Sequence, residues 1–110
     1  SNLEEINIPK SVTNIGSSAF SACKQLKKIA IPENVTIIGS NAFTNCDSLL
    51  EIILPDSVQE IGNSAFQYCT SLSKVIISSN ISVIENYAFN GCRSLTEIFI
   101  PVKIGFAPSF

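Results

Sequence analysis

Nine residues recur four times in this chain: IGSSAFSAC from Ile15, IGSNAFTNC from Ile38, IGNSAFQYC from Ile61 and IENYAFNGC from Ile84. The starts lie 23 residues apart. A fixed period of this size restricts the chain to folds in which one small unit is stacked on copies of itself. No single unit can bury its own apolar face, so each must be covered by a neighbour.

Aligning every residue with the one 23 later gives whole columns. Leu3, Leu26, Leu49, Leu72 and Leu95 form one, and Ile6, Ile29, Ile52, Val75 and Ile98 the next. Ile8, Ile31, Leu54, Ile77 and Ile100 form a third, and Val12, Val35, Val58, Ile81 and Ile104 a fourth. The L-x-x-I-x-I opening alternates apolar and polar residues, which predicts a short strand with one buried face. Pro9, Pro32, Pro55 and Pro101 then end it, since proline has no ladder donor; Ser78 interrupts that column. For the second half of each unit the pattern predicts a helix of about two turns, too short to be stable alone. Ser17, Ser40, Asn63 and Asn86 suit an N-cap, Gly16, Gly39 and Gly62 a tight turn before it, though Glu85 in the fourth unit shows that glycine is not obligatory there. The following Ala, Phe and Cys fall on one inward helical face. Phe packs on the Phe of the next unit. The expected fold is an α/β repeat over residues 1–110: a right-handed solenoid of four full repeats and partial ends, with a parallel sheet on one side and short helices on the other.

Composition excludes several functions. A chain 45% hydrophobic and 15% charged is too apolar for a disordered tail. A net charge of −2 argues against nucleic acid, whose binders carry basic patches. No apolar run approaches the roughly 18 residues that suggest a membrane-spanning helix. The N-terminus lacks the basic and apolar stretches of a secretory signal, and the chain opens inside a repeat, as a piece of a longer array would. With no histidine, neither a Ser-His nor a Cys-His nucleophile pair can be assembled. Acidic pairs and phosphate-cradling glycine loops are missing too. The expectation is no enzyme and no cofactor.

Cys23, Cys46, Cys69 and Cys92 admit three readings. Zinc favours close C-x-x-C pairs, whereas here each unit supplies one thiol. A disulfide needs alpha-carbons within roughly 7 Å, and packed helices stand about 8–10 Å apart. A column of buried free thiols beside the phenylalanines is therefore favoured. Free thiols also suit a reducing compartment.

The phrase IP-x-x-V-x-x-IG-x-x-AF-x-x-C-x-x-L resembles the BspA-like class of leucine-rich repeats, from position 3 to about 104. That resemblance implies a protein-recognition module of a surface or secreted protein, often used in adhesion to host matrix or another microbe. It carries over no catalytic residue. It also bears on two sequons, Asn34-Val35-Thr36 and Asn80-Ile81-Ser82. A polar residue near this point in leucine-rich repeats often turns inward to hydrogen-bond the loops, which competes with the reading of a glycan acceptor.

The partner-binding candidates are the outward positions of the strands. One column alternates in charge: Glu5, Lys28, Glu51, Lys74, Glu97. Same-face pairing that fixes register accounts for it as well as ligand contact does. The adjoining column, Asn7, Ala30, Ile53, Ile76, Phe99, ends in three large apolar side chains. Such a stripe marks an interaction surface, or reflects the strand preference of Ile and Phe. The site expected on the concave face is Ile53, Ile76 and Phe99 beside Glu51, Lys74 and Glu97. The partner is a protein of unknown identity; a spacer or intracellular scaffold without a specific ligand is the alternative. At its C-terminal end PVKIGFAPSF departs from the repeat: either Phe106 and Phe110 fold over the open core as a cap, or the array is cut there. Uncapped ends leave self-association open.

Overall fold

A computed structural model describes residues 4–99. The expectations for Leu3, Ile100, Pro101, Ile104, Phe106 and Phe110 lie outside the described residues. The chain winds as a solenoid of about four turns, and each coil contributes two short strands rather than one. The first strands are β1 (Glu5–Asn7), β3 (Lys28–Ala30), β5 (Glu51–Ile53), β7 (Lys74–Ile76) and β9 (Glu97–Phe99). The second are β2 (Asn14–Ile15), β4 (Ile37–Ile38), β6 (Glu60–Ile61) and β8 (Val83–Ile84).

Every pairing is parallel and joins a residue to the one 23 later, as in Ile6↔Ile29, Ile52↔Val75 and Val75↔Ile98. The period thus becomes the register. The second strands form one continuous sheet, β2-β4-β6-β8. The first sheet is interrupted: β1 pairs β3, and β5-β7-β9 follow without a ladder between β3 and β5. Just before that seam the Leu50 N–H still donates to the Lys27 carbonyl at 3.2 Å.

The expected helices are absent; the described residues contain none. Residues 17–23 and their equivalents are consecutive turns, so Ser17, Ser40, Asn63 and Asn86 cap nothing. Alternate N–H groups serve different coils. Those of Ala19, Ser21 and Cys23 fold back three residues, while those of Ser18, Phe20 and Ala22 donate to Ser40, Ala42 and Thr44 of the next coil at 2.7–2.9 Å. Ser18, Ala22, Asn41 and Asn45 have φ of 58–62°, which no right-handed helix admits. The reason is spacing. Helices pack about 8–10 Å apart, but coils sharing a parallel sheet rise by about 4.8 Å. Turns that hydrogen-bond between coils keep the short rise.

The glycine reading changes accordingly. Gly16, Gly39 and Gly62 do not adopt positive φ. A Cβ on Gly39 would instead lie 2.7 Å from the Ile15 carbonyl oxygen, and one on Gly62 2.7 Å from the Ser40 nitrogen. Glycine fits at Gly39 and Gly62 because backbones of adjacent coils nearly touch there; nothing crowds Gly16, and the fourth coil carries Glu85 in the same column.

Inward side chains keep the expected columns. Leu26, Val35, Ile38, Leu49, Ile52, Val58, Ile61 and Leu72 are fully buried. Phe20, Phe43, Phe66 and Phe89 stack in series, with centroids 5.1–5.3 Å apart. Ile6, Val12 and Phe20 in the first coil, and Ile84, Leu95 and Ile98 in the last, are only partly buried.

Candidate functional site

Each first strand turns its middle residue inward, buried in β3, β5 and β7 and partly buried in β1 and β9, and the flanking two outward. Ile29 is buried between exposed Lys28 and Ala30, and Ile52 between exposed Glu51 and Ile53. Parallel pairing stacks these outward positions in register: Glu51↔Lys74↔Glu97 in one column and Ile53↔Ile76↔Phe99 in the next. Ile53 is 50% exposed and Phe99 65%, while Ile76 and Lys74 between them are partly covered. All six expected residues therefore share one surface. A shallow depression of about 410 Å³ runs over Lys74, Ile76, Glu97 and Phe99. A second of about 410 Å³ occupies the seam, lined by Lys28, Ala30, Glu51 and Ile53.

The alternating charges do not close into ion pairs. The two found among the described residues lie elsewhere: Lys24–Asp47 at 3.0 Å and Lys27–Glu4 at 3.8 Å. Long exposed side chains gain little from pairing in water, so the charged groups of the ladder stay in solvent.

Other exposed apolar side chains fall on columns that the sequence did not single out. Ile37 and Val83 point outward from the second sheet, Leu50 precedes β5, and Tyr68 and Tyr87 stand on the turns. A signal for Ile37 existed in the doubled Ile37-Ile38, where one of two adjacent strand residues must face out.

The four cysteines are free, with Cys46 and Cys69 fully buried. Each thiol of Cys46, Cys69 and Cys92 donates to a phenylalanine carbonyl of the preceding coil: Phe20, Phe43 and Phe66, at 3.0–3.1 Å. Because the coils are turns at sheet-like spacing, helix separation is not what keeps them apart; these hydrogen bonds direct the thiols at backbone. Burial pushes the Cys46 thiol up to about 12. The Cys69 thiol is also raised, by the neighbouring Cys92 and then by burial. Among the described residues no cluster of His, Cys, Asp and Glu is placed to hold a metal ion. Nor is any helix there long and apolar enough to cross a membrane.

At the sequons, Asn34 Nδ2 donates to the Lys10 carbonyl at 2.9 Å and Asn80 Nδ2 to that of Asp56 at 2.7 Å. Both asparagines are exposed, yet tie their coil to the one before.

Comparison with known proteins places this geometry. Residues 1–108 match the family described as BspA type leucine rich repeat region (6 copies). No curated protein sequence matches. Among solved structures, a leucine-rich repeat protein from Bacteroides ovatus ATCC 8483 is similar at 35% identity and TM-score 0.89, over 96% of this chain and 27% of that one. A leucine rich cell surface protein from Faecalibacterium prausnitzii A2-165 shares the fold at 24% identity and TM-score 0.76, over 89% of this chain and 32% of that one. The leucine rich repeat protein of T. pallidum shares it at 22% identity and TM-score 0.73, over 92% and 72%. The chain thus spans about a quarter to a third of the first two proteins.

Proposed function

The chain belongs to the BspA-type leucine-rich repeat family, and from that premise we propose that it is a protein-binding module of a surface or secreted protein. Its partner would be held by the outward face of the first sheet. The observation carrying this reading is the in-register stripe Ile53–Ile76–Phe99, exposed beside Glu51–Lys74–Glu97. An apolar centre with a charged rim is how protein interfaces are usually built. The module acts by binding rather than catalysis, and the similarity to a cell-surface protein supports an outside location. Four free thiols favour a second reading, an intracellular scaffold or spacer without a specific ligand.

The Ile76→Ser, Phe99→Ser double variant separates the two. Neither side chain enters the core, so circular dichroism and melting should stay close to the parent. Retention on immobilised extracellular-matrix proteins, or self-association in sedimentation, should weaken by roughly 2 kcal/mol or more if these are hot spots. Unchanged binding by a folded double variant would remove the stripe from recognition and favour the scaffold reading.

A further inference from the structure

The turn wall of the solenoid, residues 17–22, 40–45, 63–68 and 86–91, contains no charged residue. Its outward side chains are mostly hydroxyls and amides until coils three and four add Tyr68 and Tyr87, the two tyrosines of the chain. Both are well exposed, at 48% and 59%. Both also hold left-handed backbone, with φ of 60° and 62°. Asn45 and Gly91 occupy the Tyr68 column, and Asn41 and Ser64 the Tyr87 column, all with positive φ. Glycine and Asn tolerate that conformation; other residues adopt it at a cost, and bulky ones rarely do. The left-handed turn recurs in every coil, and in coils three and four it presents large rings to solvent.

Gly91 completes the arrangement. A Cβ there would lie 2.3 Å from Cδ1 of Tyr68, so the ring rests on the bare backbone of the next coil while about half of the residue stays in solvent. The ring is braced before any ligand arrives, which lowers the entropic cost of binding. Gln67 and Asn90, stacked in one column beside the rings, make no side-chain hydrogen bond among the described residues.

We infer that this wall binds an uncharged oligosaccharide. Tyr68 and Tyr87 stack on the C–H faces of sugar rings, and Gln67 and Asn90 exchange hydrogen bonds with their hydroxyls. A neutral polyol needs no charged counterpart, and its weakly polarised C–H groups are drawn to the negative face of an aromatic ring. Its hydroxyls donate and accept, as the amides do. The wall itself offers a protein partner's charges no complement, the neighbouring charged residues Lys24, Asp47, Glu85 and Arg93 standing at its margins. The surface is separate from the outward face of the first sheet, so the two readings stand or fall independently.

The chain has no tryptophan, so tyrosine fluorescence reports Tyr68 and Tyr87 alone. Titration with cellohexaose, laminarihexaose, mannohexaose and chitohexaose should give a saturable change with at least one, at millimolar affinity. Tyr68→Asn and Tyr87→Asn place a tolerant residue on the left-handed backbone. Each variant should melt at the parent temperature or above it, yet lose roughly two- to tenfold in affinity by calorimetry. The Ile76→Ser, Phe99→Ser variant should bind the same sugar unchanged. Silence toward all four hexaoses, or undiminished binding by the tyrosine double variant, would overturn the proposal. So would a Tyr68-dependent selection of phage-displayed peptides by a surface silent to sugars, which would make it a protein contact.

Discussion

The rings of Phe43 and Phe66 lie 5.1 Å apart and within 2° of parallel. That distance nearly matches the roughly 4.8 Å between strands of a sheet, so the aromatic stack and the backbone ladders climb at one rate. Phe43 also stacks on Phe20, at 5.3 Å. Phe43→Ala therefore empties a layer between two occupied ones. Truncating a buried Phe costs about 3–5 kcal/mol, and urea unfolding should register a loss of that size. Phe20→Ala should cost less, because Phe20 ends the stack and is partly exposed. Equal losses would mean that the stack is not cooperative.

Gly39 and Gly16 share a column but not a neighbourhood. A Cβ on Gly39 would meet the Ile15 carbonyl and the Gly16 backbone at 2.7–2.8 Å, whereas nothing lies within 4 Å of one on Gly16. Gly39→Ala should destabilise by about 1–3 kcal/mol, as overpacking does. Gly16→Ala should be neutral, or gain up to about 1 kcal/mol from a less flexible unfolded chain. The two melting temperatures, measured side by side, check the contrast; two neutral results would refute close backbone approach.

Ala22 has φ of 60° without the freedom of glycine or the local hydrogen bonding of asparagine. Ala22→Gly should raise stability by roughly 1 kcal/mol, the approximate cost of left-handed backbone for an L-residue. Its N–H bond to Thr44 at 2.7 Å survives the change. A lower melting point would show that Ala22 gains more from its methyl group than it loses to its backbone.

The Cys46 thiol, raised to about 12 by burial, makes stability depend on alkaline pH. The folded value lies above the unfolded one, 9.0, so the folded chain holds this proton more tightly. Its contribution is complete below pH 9 and is lost as pH climbs toward 12, at about 1.4 kcal/mol per pH unit. Urea midpoints should fall over that window, and less steeply for Cys46→Ala. Identical slopes would show the thiol to be accessible.

The period made the inward and outward columns legible, because residues 23 apart must occupy equivalent places. Ile52 and Phe66 could be assigned to the core, and Ile53 and Phe99 to the surface, without coordinates. The helices were not decidable that way. Ala42, Phe43 and Cys46 face inward on a short helix and on a run of turns alike; what selects turns is the rise between coils, a property of the stack rather than of one unit. Asn41 and Asn45 carried the missing signal, two left-handed-tolerant residues four apart, but Ser18, Ala22, Tyr68 and Tyr87 obscured it in the other coils. The second sheet escaped notice because a two-residue strand cannot display alternation. In the candidate site, Glu51, Lys74 and Glu97 gave the correct register, while the lack of close ion pairs depended on side-chain reach.

The lapse between β3 and β5 has a mechanical meaning. On the second sheet, Ile37 and Ile38 pair with Glu60 and Ile61 across the same two coils, and on the turns Asn41 and Phe43 donate to Asn63 and Ala65. Two walls are stitched there by repeated bonds, while the third has the Leu50 bond to Lys27 but no ladder between β3 and β5. A bending load that spreads the first sheet would therefore concentrate at the seam between Ala30 and Ile53, with the coils on either side pivoting as stiff halves about the second sheet. The molecule is a notched spring, and the notch lies at the edge of the stripe that would hold a partner.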